Sequence, residues 1–412
     1  MFEKNLEQYI ELIVKRGLNI EKGDRVHIYA DVSIHEYVKP VVARIYAAGA
    51  VEVEVIYSDE VITRQKYLHD EEALFDTISE VEQARYKKWE KSCSKRLSMV
   101  SPNPKAMDGV SSERIMKNAR MAYLSMKDYK AKMMGDKMSW SIAAFPTKEW
   151  AKVVFPEVDD ANKAVDLLWD AIFSGTHVLD GPDACANWDK HVQTLYARLD
   201  ILNAFDLTSL HYTNSLGTDL VVGLPAGHRW KGGGSTNIIT DKSFAPNIPT
   251  EEVYTLGDAN SVDGIVYSSK PLLFSGQIID GFKLELKNGV VVDATAEKGD
   301  AMLKELLSTD DGAKRFGEVA LVPYASPISL SGILFSMTLF DENASCHFAL
   351  GNAYENTLPA SAGKSGEELK ELGFNVSQIH VDFMIGTPDL QIMGKRKNGE
   401  IIAIFKEGNF AF

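Results

Sequence analysis

The chain has 412 residues, 45% of them apolar and 25% charged, a globular mixture with length enough for two domains. Acidic residues outnumber basic ones by 58 to 44, and the net charge of −14 weighs against broad binding to nucleic acid or to an anionic membrane. No apolar run approaches the roughly 20 residues of a spanning helix, and the N-terminus has no secretory pattern. Three cysteines (Cys93, Cys185, Cys346) at wide spacing suit neither a disulfide framework nor a zinc ribbon, so a reduced, cytoplasmic protein is expected.

Phe2, Leu6, Tyr9, Ile10 and Ile13 recur at helical spacing, and Gly17 and Gly23 punctuate the exit. A strand over 26–30, a helix with Val38, Val41, Val42 and Ile45 on one face, and an alternating strand over 51–55 make a βαβ unit, which implies a parallel pair. Further helices are expected near 70–89, 147–154, 160–173 and 188–204, with strands near 120–125 and 140–145. After Phe205 the signals become strands and turns. Segments 207–212 and 219–224 flank a turn at Asn214 to Gly217, and 282–286 and 290–293 flank Asn288-Gly289, a strong hairpin signal. Helical signals in this half are confined to 300–308 and 365–372. The expected fold is α+β with two domains: an α/β domain over 1–205 with a partly parallel sheet, and a mainly β, barrel-like domain over 206–412.

Several chemistries are excluded. There is no Gly-x-Ser-x-Gly elbow, no His-Glu-x-x-His and no Cys-x-x-Cys. Gly232-Gly233-Gly234-Ser235 lacks the lysine of a phosphate loop and reads as a loop at a sheet rim.

The second half is richer. On a strand over 376–386, Ile379, Val381, Phe383 and Ile385 share one face, and Gln378, His380, Asp382 and Met384 the other. His380 and Asp382 then lie roughly 7 Å apart on one surface, where a single metal can collect both. Over 343–350, Cys346, Phe348 and Leu350 form the buried side, and His347 projects oppositely between Ser345 and Ala349. Glu318 alone interrupts an apolar strand over 316–322, so its carboxylate needs an arginine, a hydrogen-bond donor or a metal. Of the adjacent Glu251 and Glu252, only one can join a given face.

Four segments together carry a resemblance: Asn247-Ile248-Pro249-Thr250-Glu251-Glu252-Val253-Tyr254-Thr255, Gly317-Glu318-Val319-Ala320-Leu321-Val322-Pro323, His347 with Tyr354 seven residues on, and His380-Val381-Asp382. With intervals of 66, 29 and 33 residues between Glu252, Glu318, His347 and His380, the chain resembles, over its whole length, the dinuclear metallo-aminopeptidase family of aminopeptidase T, aminopeptidase S and PepS. The resemblance implies metal ligands Glu252, Glu318, His347, His380 and Asp382 around two divalent ions in the C-terminal domain, with Tyr354 beside them, and Glu318 is the candidate carboxylate to bridge the ions. Glu318 and Tyr354 are the residues expected to serve catalysis. Carboxylates and imidazoles without thiolate suit Zn²⁺, Co²⁺ or Mn²⁺. Such a site would activate a water against a peptide carbonyl while a metal holds the free α-amine. The expected substrates are peptides with a free N-terminus, and the resemblance also implies a homodimer. A different dinuclear hydrolase (amidase or phosphoesterase) and a non-catalytic two-domain binding protein are the alternatives.

Overall fold

The structure, a computed structural model, describes residues 1–92, 94–274 and 277–412; Cys93 lies outside them. The described residues divide into two compact units. One comprises Met1–His191, Gly234–Pro249 and, of the described residues, Gln277, and the other Val192–Gly233, Thr250–Phe274 and Ile278–Phe412.

The first unit is built on the expected βαβ motif. Strands Arg25–Asp31 and Glu52–Ser58 pair in parallel from Arg25 opposite Glu52, joined by the helix His35–Ala47, which buries Val38, Val41 and Ile45. Gly49 turns this helix into the second strand at φ 113°, and a Cβ there would meet the Lys22 backbone at 2.9 Å, so only glycine fits. Strands Lys95–Val100, Trp140–Ala144 and Asn247–Ile248 extend the sheet on the other side of Arg25–Asp31, all parallel.

One sequence expectation fails here, and one strand is missed. Residues 120–125 are not a strand but lie within the helix Ser112–Met134. That stretch is rich in Ala, Met, Lys and Arg, which lose little side-chain freedom in a helix, and Tyr129 and Met133 bury themselves one turn apart. The strand that does occur, Lys95–Val100, was hidden by its charged start, because Lys95 and Arg96 mask the apolar Leu97 and Met99. Helices Lys148–Val154, Ala161–Gly175 and Ala184–Ala204 stand close to their expected positions. Among the described residues no helix is long and apolar enough to cross a membrane.

In the second unit both expected hairpins form: Leu207–Thr213 pairs antiparallel with Asp219–Gly223, and Gln277–Lys287 with Val290–Lys298. Asn288 and Gly289 at the second turn take φ 49° and 80°, as a two-residue hairpin turn requires. These strands belong to a nine-stranded sheet among the described residues. A five-stranded sheet, in the order His380–Met384, His347–Gly351, Phe316–Leu321, Val253–Thr255 and Lys231–Gly232, packs against it. Tyr212 meets Phe348 at 5.0 Å and Phe282 meets Phe383 at 5.4 Å between ring centroids, across one apolar cluster.

The barrel-like closure expected for this half is absent among the described residues. The sheets stay open, and the outer strand Val290–Lys298 protects its edge with Asp293, Glu297 and Lys298 in place of pairing round. Cys185 and Cys346 are free and buried, and Cys346 lies in the apolar cluster as expected.

In the first unit the buried Tyr9 hydroxyl donates to the Ala144 carbonyl and accepts from the Ala144 N–H, both at 3.1 Å. Tyr9→Phe removes both of these buried hydrogen bonds. It should cost about 1–3 kcal/mol, read as a lower urea midpoint of the first unit's transition.

Candidate metal centre

The two faces of the five-stranded sheet differ completely in chemistry. Val253, Val319, Leu321, Phe348, Leu350 and Phe383 point into the apolar cluster. Strand alternation sends their neighbours the other way: Glu252 and Tyr254, Glu318 and Ala320, His347 and Ala349, His380 and Asp382. The register aligns these groups across strands, with Glu318 opposite Ala349 and Ala349 opposite Asp382. Ala349 keeps the middle of this row free of bulk, and Gly351 does the same opposite His380.

Glu318 owes its direction to a bulge. Phe316 pairs with Leu350 but Glu318 with Ala349, so the register slips by one residue at Gly317. Without the slip, Glu318 would share the core face with Phe316. Gly317 is required there, since a Cβ would collide with the carbonyl oxygens of Gly351 and Asn352.

Two groups of possible ligands result, Glu252, Glu318 and His347, and Glu318, His380 and Asp382, with Glu318 common to both. The Nε2 atom of His347 lies 3.1 Å from Glu252 and 3.4 Å from Glu318. The Nε2 atom of His380 lies 3.3 Å from Asp382 and 3.7 Å from Glu318. Both imidazoles are oriented from behind. His347 Nδ1 faces the Ser345 carbonyl at 3.0 Å and His380 Nδ1 the Asn352 carbonyl at 2.7 Å, so each Nδ1–H donates to backbone.

That tautomer turns each Nε2 lone pair toward carboxylate oxygens. Lone pairs facing lone pairs at this distance repel unless a proton or a cation lies between them. Glu252 Oε2 and Asp382 Oδ1 are in fact buried without a hydrogen-bond partner. The donor set of oxygens and imidazole nitrogens fits divalent cations of the zinc, cobalt or manganese kind.

The proton affinities report the same crowding. Burial raises Glu318 to about 7, although His347 pulls it down, and the Glu252 charge adds to the rise. Burial alone would lower both imidazoles, but Glu252 and Glu318 hold His347 well above its ordinary value, and Asp382 and Glu318 raise His380 to about 9. Asp382 stays below the usual carboxylate range because His380 outweighs its burial.

The structure adds one residue that the sequence reading missed. Glu342, buried in the short turn Glu342–Ala344, is pushed far above its ordinary value by burial and by the charges of Asp382 and Glu252. An acidic pair, Asp341-Glu342, directly after the apolar Leu339-Phe340 was the available signal. Asp341 itself serves the fold by accepting the N–H groups of Phe335 and Met337 at 2.8 and 2.9 Å.

Tyr354 lies over the site face, its ring 4.7 Å from His380 and 5.8 Å from Tyr254. Its carbonyl is fixed by the N–H and hydroxyl of Thr357 at 3.1 and 2.6 Å. Glu251 is buried away from this group: its N–H donates to Asn343 Oδ1 at 2.6 Å and its charge acts on Arg198.

Such a face, with imidazoles aimed from behind at clustered carboxylates, is that of a candidate metal-binding protein. Residues 2–410 match the thermophilic metalloprotease (M29) family, and the chain belongs to that family. It is 41% identical to aminopeptidase PepS of Streptococcus thermophilus over 99% of this chain and 98% of that one. The structure of AmpT from Thermus thermophilus superposes with a TM-score of 0.91 at 34% identity, covering 100% of both chains. A dioxygenase from Pseudomonas putida shares the fold alone, with a TM-score of 0.51 at 9% identity over 100% of this chain and 98% of that one. The resemblance read from the motif spacing is borne out.

Gly317→Ala should straighten or displace the bulge and misdirect Glu318. The expected result is a folded chain by circular dichroism that binds less metal by elemental analysis. Full metal content would contradict the role given to the bulge.

Proposed function

We infer that the chain is a metal-dependent aminopeptidase, and propose that it removes N-terminal residues with two divalent ions, one at each of the two ligand groups that share Glu318. The observation that carries the two-ion reading is this sharing, combined with imidazole lone pairs directed at carboxylates that lack donors. Glu252 and His347 would hold one ion, His380 and Asp382 the other, and Glu318 both. Glu342 would add a fourth carboxylate whose charge acts on the same groups. When bound, the ions acidify a water and polarise the scissile carbonyl.

The chain's own residues then divide the remaining work. Ser345 and Asn352, through their carbonyls, hold the two imidazoles in the ligating tautomer. Burial of the site face removes competing water and strengthens each electrostatic contact. Tyr354 presents its ring beside His380, and burial with the Glu318 and Asp382 charges keeps its hydroxyl protonated, able to donate to the oxyanion that forms as the carbonyl is attacked. Anchoring of a free α-amine at the carboxylate-rich face restricts cleavage to the first residue. We further propose Zn²⁺, Co²⁺ or Mn²⁺ as the metal, a cytoplasmic setting and a homodimer. Light scattering tests the dimer, and a 45.6 kDa species at micromolar concentration would contradict it.

Chelation should abolish hydrolysis of dipeptides, and Co²⁺, Zn²⁺ or Mn²⁺ should restore it, while N-acetylated peptides resist throughout. Rapid cleavage of acetylated peptides would contradict the amine anchor.

Substitutions should follow a definite order when metal content and kinetics are measured together. Glu318→Ala should be the most damaging, because both groups lose a ligand. Glu252→Ala should exceed Glu251→Ala, whose side chain is directed elsewhere. Tyr354→Phe should keep its metal yet lower kcat by roughly 10²-fold, the size of a lost oxyanion donor. Near-normal turnover and full metal content in Glu318→Ala would overturn the bridging role.

A further inference from the structure

A lysine flanks the site without belonging to it. Lys270 lies in the turn before the strand Leu272–Phe274, within the second unit. The Ser269 N–H donates to the Met384 carbonyl at 2.8 Å, which docks this turn on the outer edge of His380–Met384, the strand that carries His380 and Asp382. The Ser269 hydroxyl is buried and has no hydrogen-bond partner among the described residues. Lys270 is partly buried and has no salt bridge among the described residues. Burial lowers its proton affinity, and only Asp341 acts to raise it. Asp341 is already committed to the N–H groups of Phe335 and Met337, so it offers Lys270 a distant charge and no direct pairing.

A half-buried ammonium one residue along the chain from an unpartnered hydroxyl is a setting for an anion. Its distance from the metal ligands selects which anion. Met384 is two residues beyond Asp382, roughly 7 Å along a strand that rises ~3.3 Å per residue. An extended dipeptide also spans roughly 7 Å between amine and carboxylate, at up to ~3.6 Å per residue. A dipeptide anchored by its amine beside His380 and Asp382 is therefore long enough for its carboxylate to reach the level of Ser269 and Lys270.

We propose that Ser269 and Lys270 form the subsite for the terminal carboxylate of a dipeptide, so that dipeptides with a free carboxylate are the preferred substrate class. This rests on the aminopeptidase reading and extends it. A longer peptide, or a dipeptide amide, leaves the ammonium without its anion.

The test compares one dipeptide with its C-terminal amide on the metal-loaded full-length chain, in wild type, Lys270→Met and Lys270→Arg. The ratio of kcat/KM for the two substrates does not depend on the fraction of folded enzyme. It should fall by about 10-fold or more in Lys270→Met, the scale of a lost charge-assisted hydrogen bond, and stay nearer wild type in Lys270→Arg. Calorimetric titration with a reduced-amide dipeptide, in carboxylate and amide forms, should show the same loss of discrimination without turnover. An unchanged ratio and unchanged discrimination in Lys270→Met, with both substrates hydrolysed, would overturn the subsite while leaving the aminopeptidase reading intact. Failure of the wild type to hydrolyse either substrate would remove that reading and the subsite with it.

Discussion

Charge compensation in a small buried volume is the constraint from which the second unit's construction follows. Glu252, Glu318, Glu342 and Asp382 act electrostatically on one another with two imidazoles among them, and Glu252, Glu318 and Glu342 are buried. Protein groups answer only part of that charge. Protons can meet some of it, as the raised affinities of Glu318, His347 and His380 record. Two divalent cations would balance four ionised carboxylates in full. Uncompensated charges of one sign within 4.8 Å of one another, as in each of the two ligand groups, are too costly in a low-dielectric setting to persist otherwise.

The fold meets the constraint by giving one sheet two unlike faces. The face toward the nine-stranded sheet is aromatic and aliphatic, and supplies the burial that stabilises the unit. The opposite face can then carry an electrostatically expensive cluster. Small residues at Ala349 and Gly351 make room, a bulge at Gly317 turns Glu318 outward from the core, and backbone carbonyls lock the imidazoles. Each device depends on the apolar face holding strand register fixed, since a slip of one residue would exchange the two faces.

Much of this was legible in the sequence because strand alternation is a local property. The opposed faces of His380 and Asp382 against Val381 and Phe383, and of His347 against Cys346 and Phe348, follow from period two alone. The βαβ motif and both hairpins were legible for similar reasons, from helical spacing and from Asn288-Gly289. Other features required three dimensions. Glu342 lies in a turn with no period, and its role appears only when Asp382 and Glu252 are brought beside it. The bulge at Gly317 reverses the face that simple alternation from Phe316 would give Glu318. Strand Lys95–Val100 is paired on both sides in a parallel sheet, where the pairing decides the conformation and the charged residues at its start obscure the pattern. Open sheets in place of a barrel reflect strand-edge chemistry, which no single segment reveals.

The central claim, that cations answer the buried carboxylate charge around Glu318, is tested most directly by anomalous X-ray diffraction from crystals of the cobalt-loaded protein. Two strong peaks are expected, one beside Glu252 and His347 and one beside His380 and Asp382, with Glu318 between them. A single peak, or peaks outside this face, would contradict it.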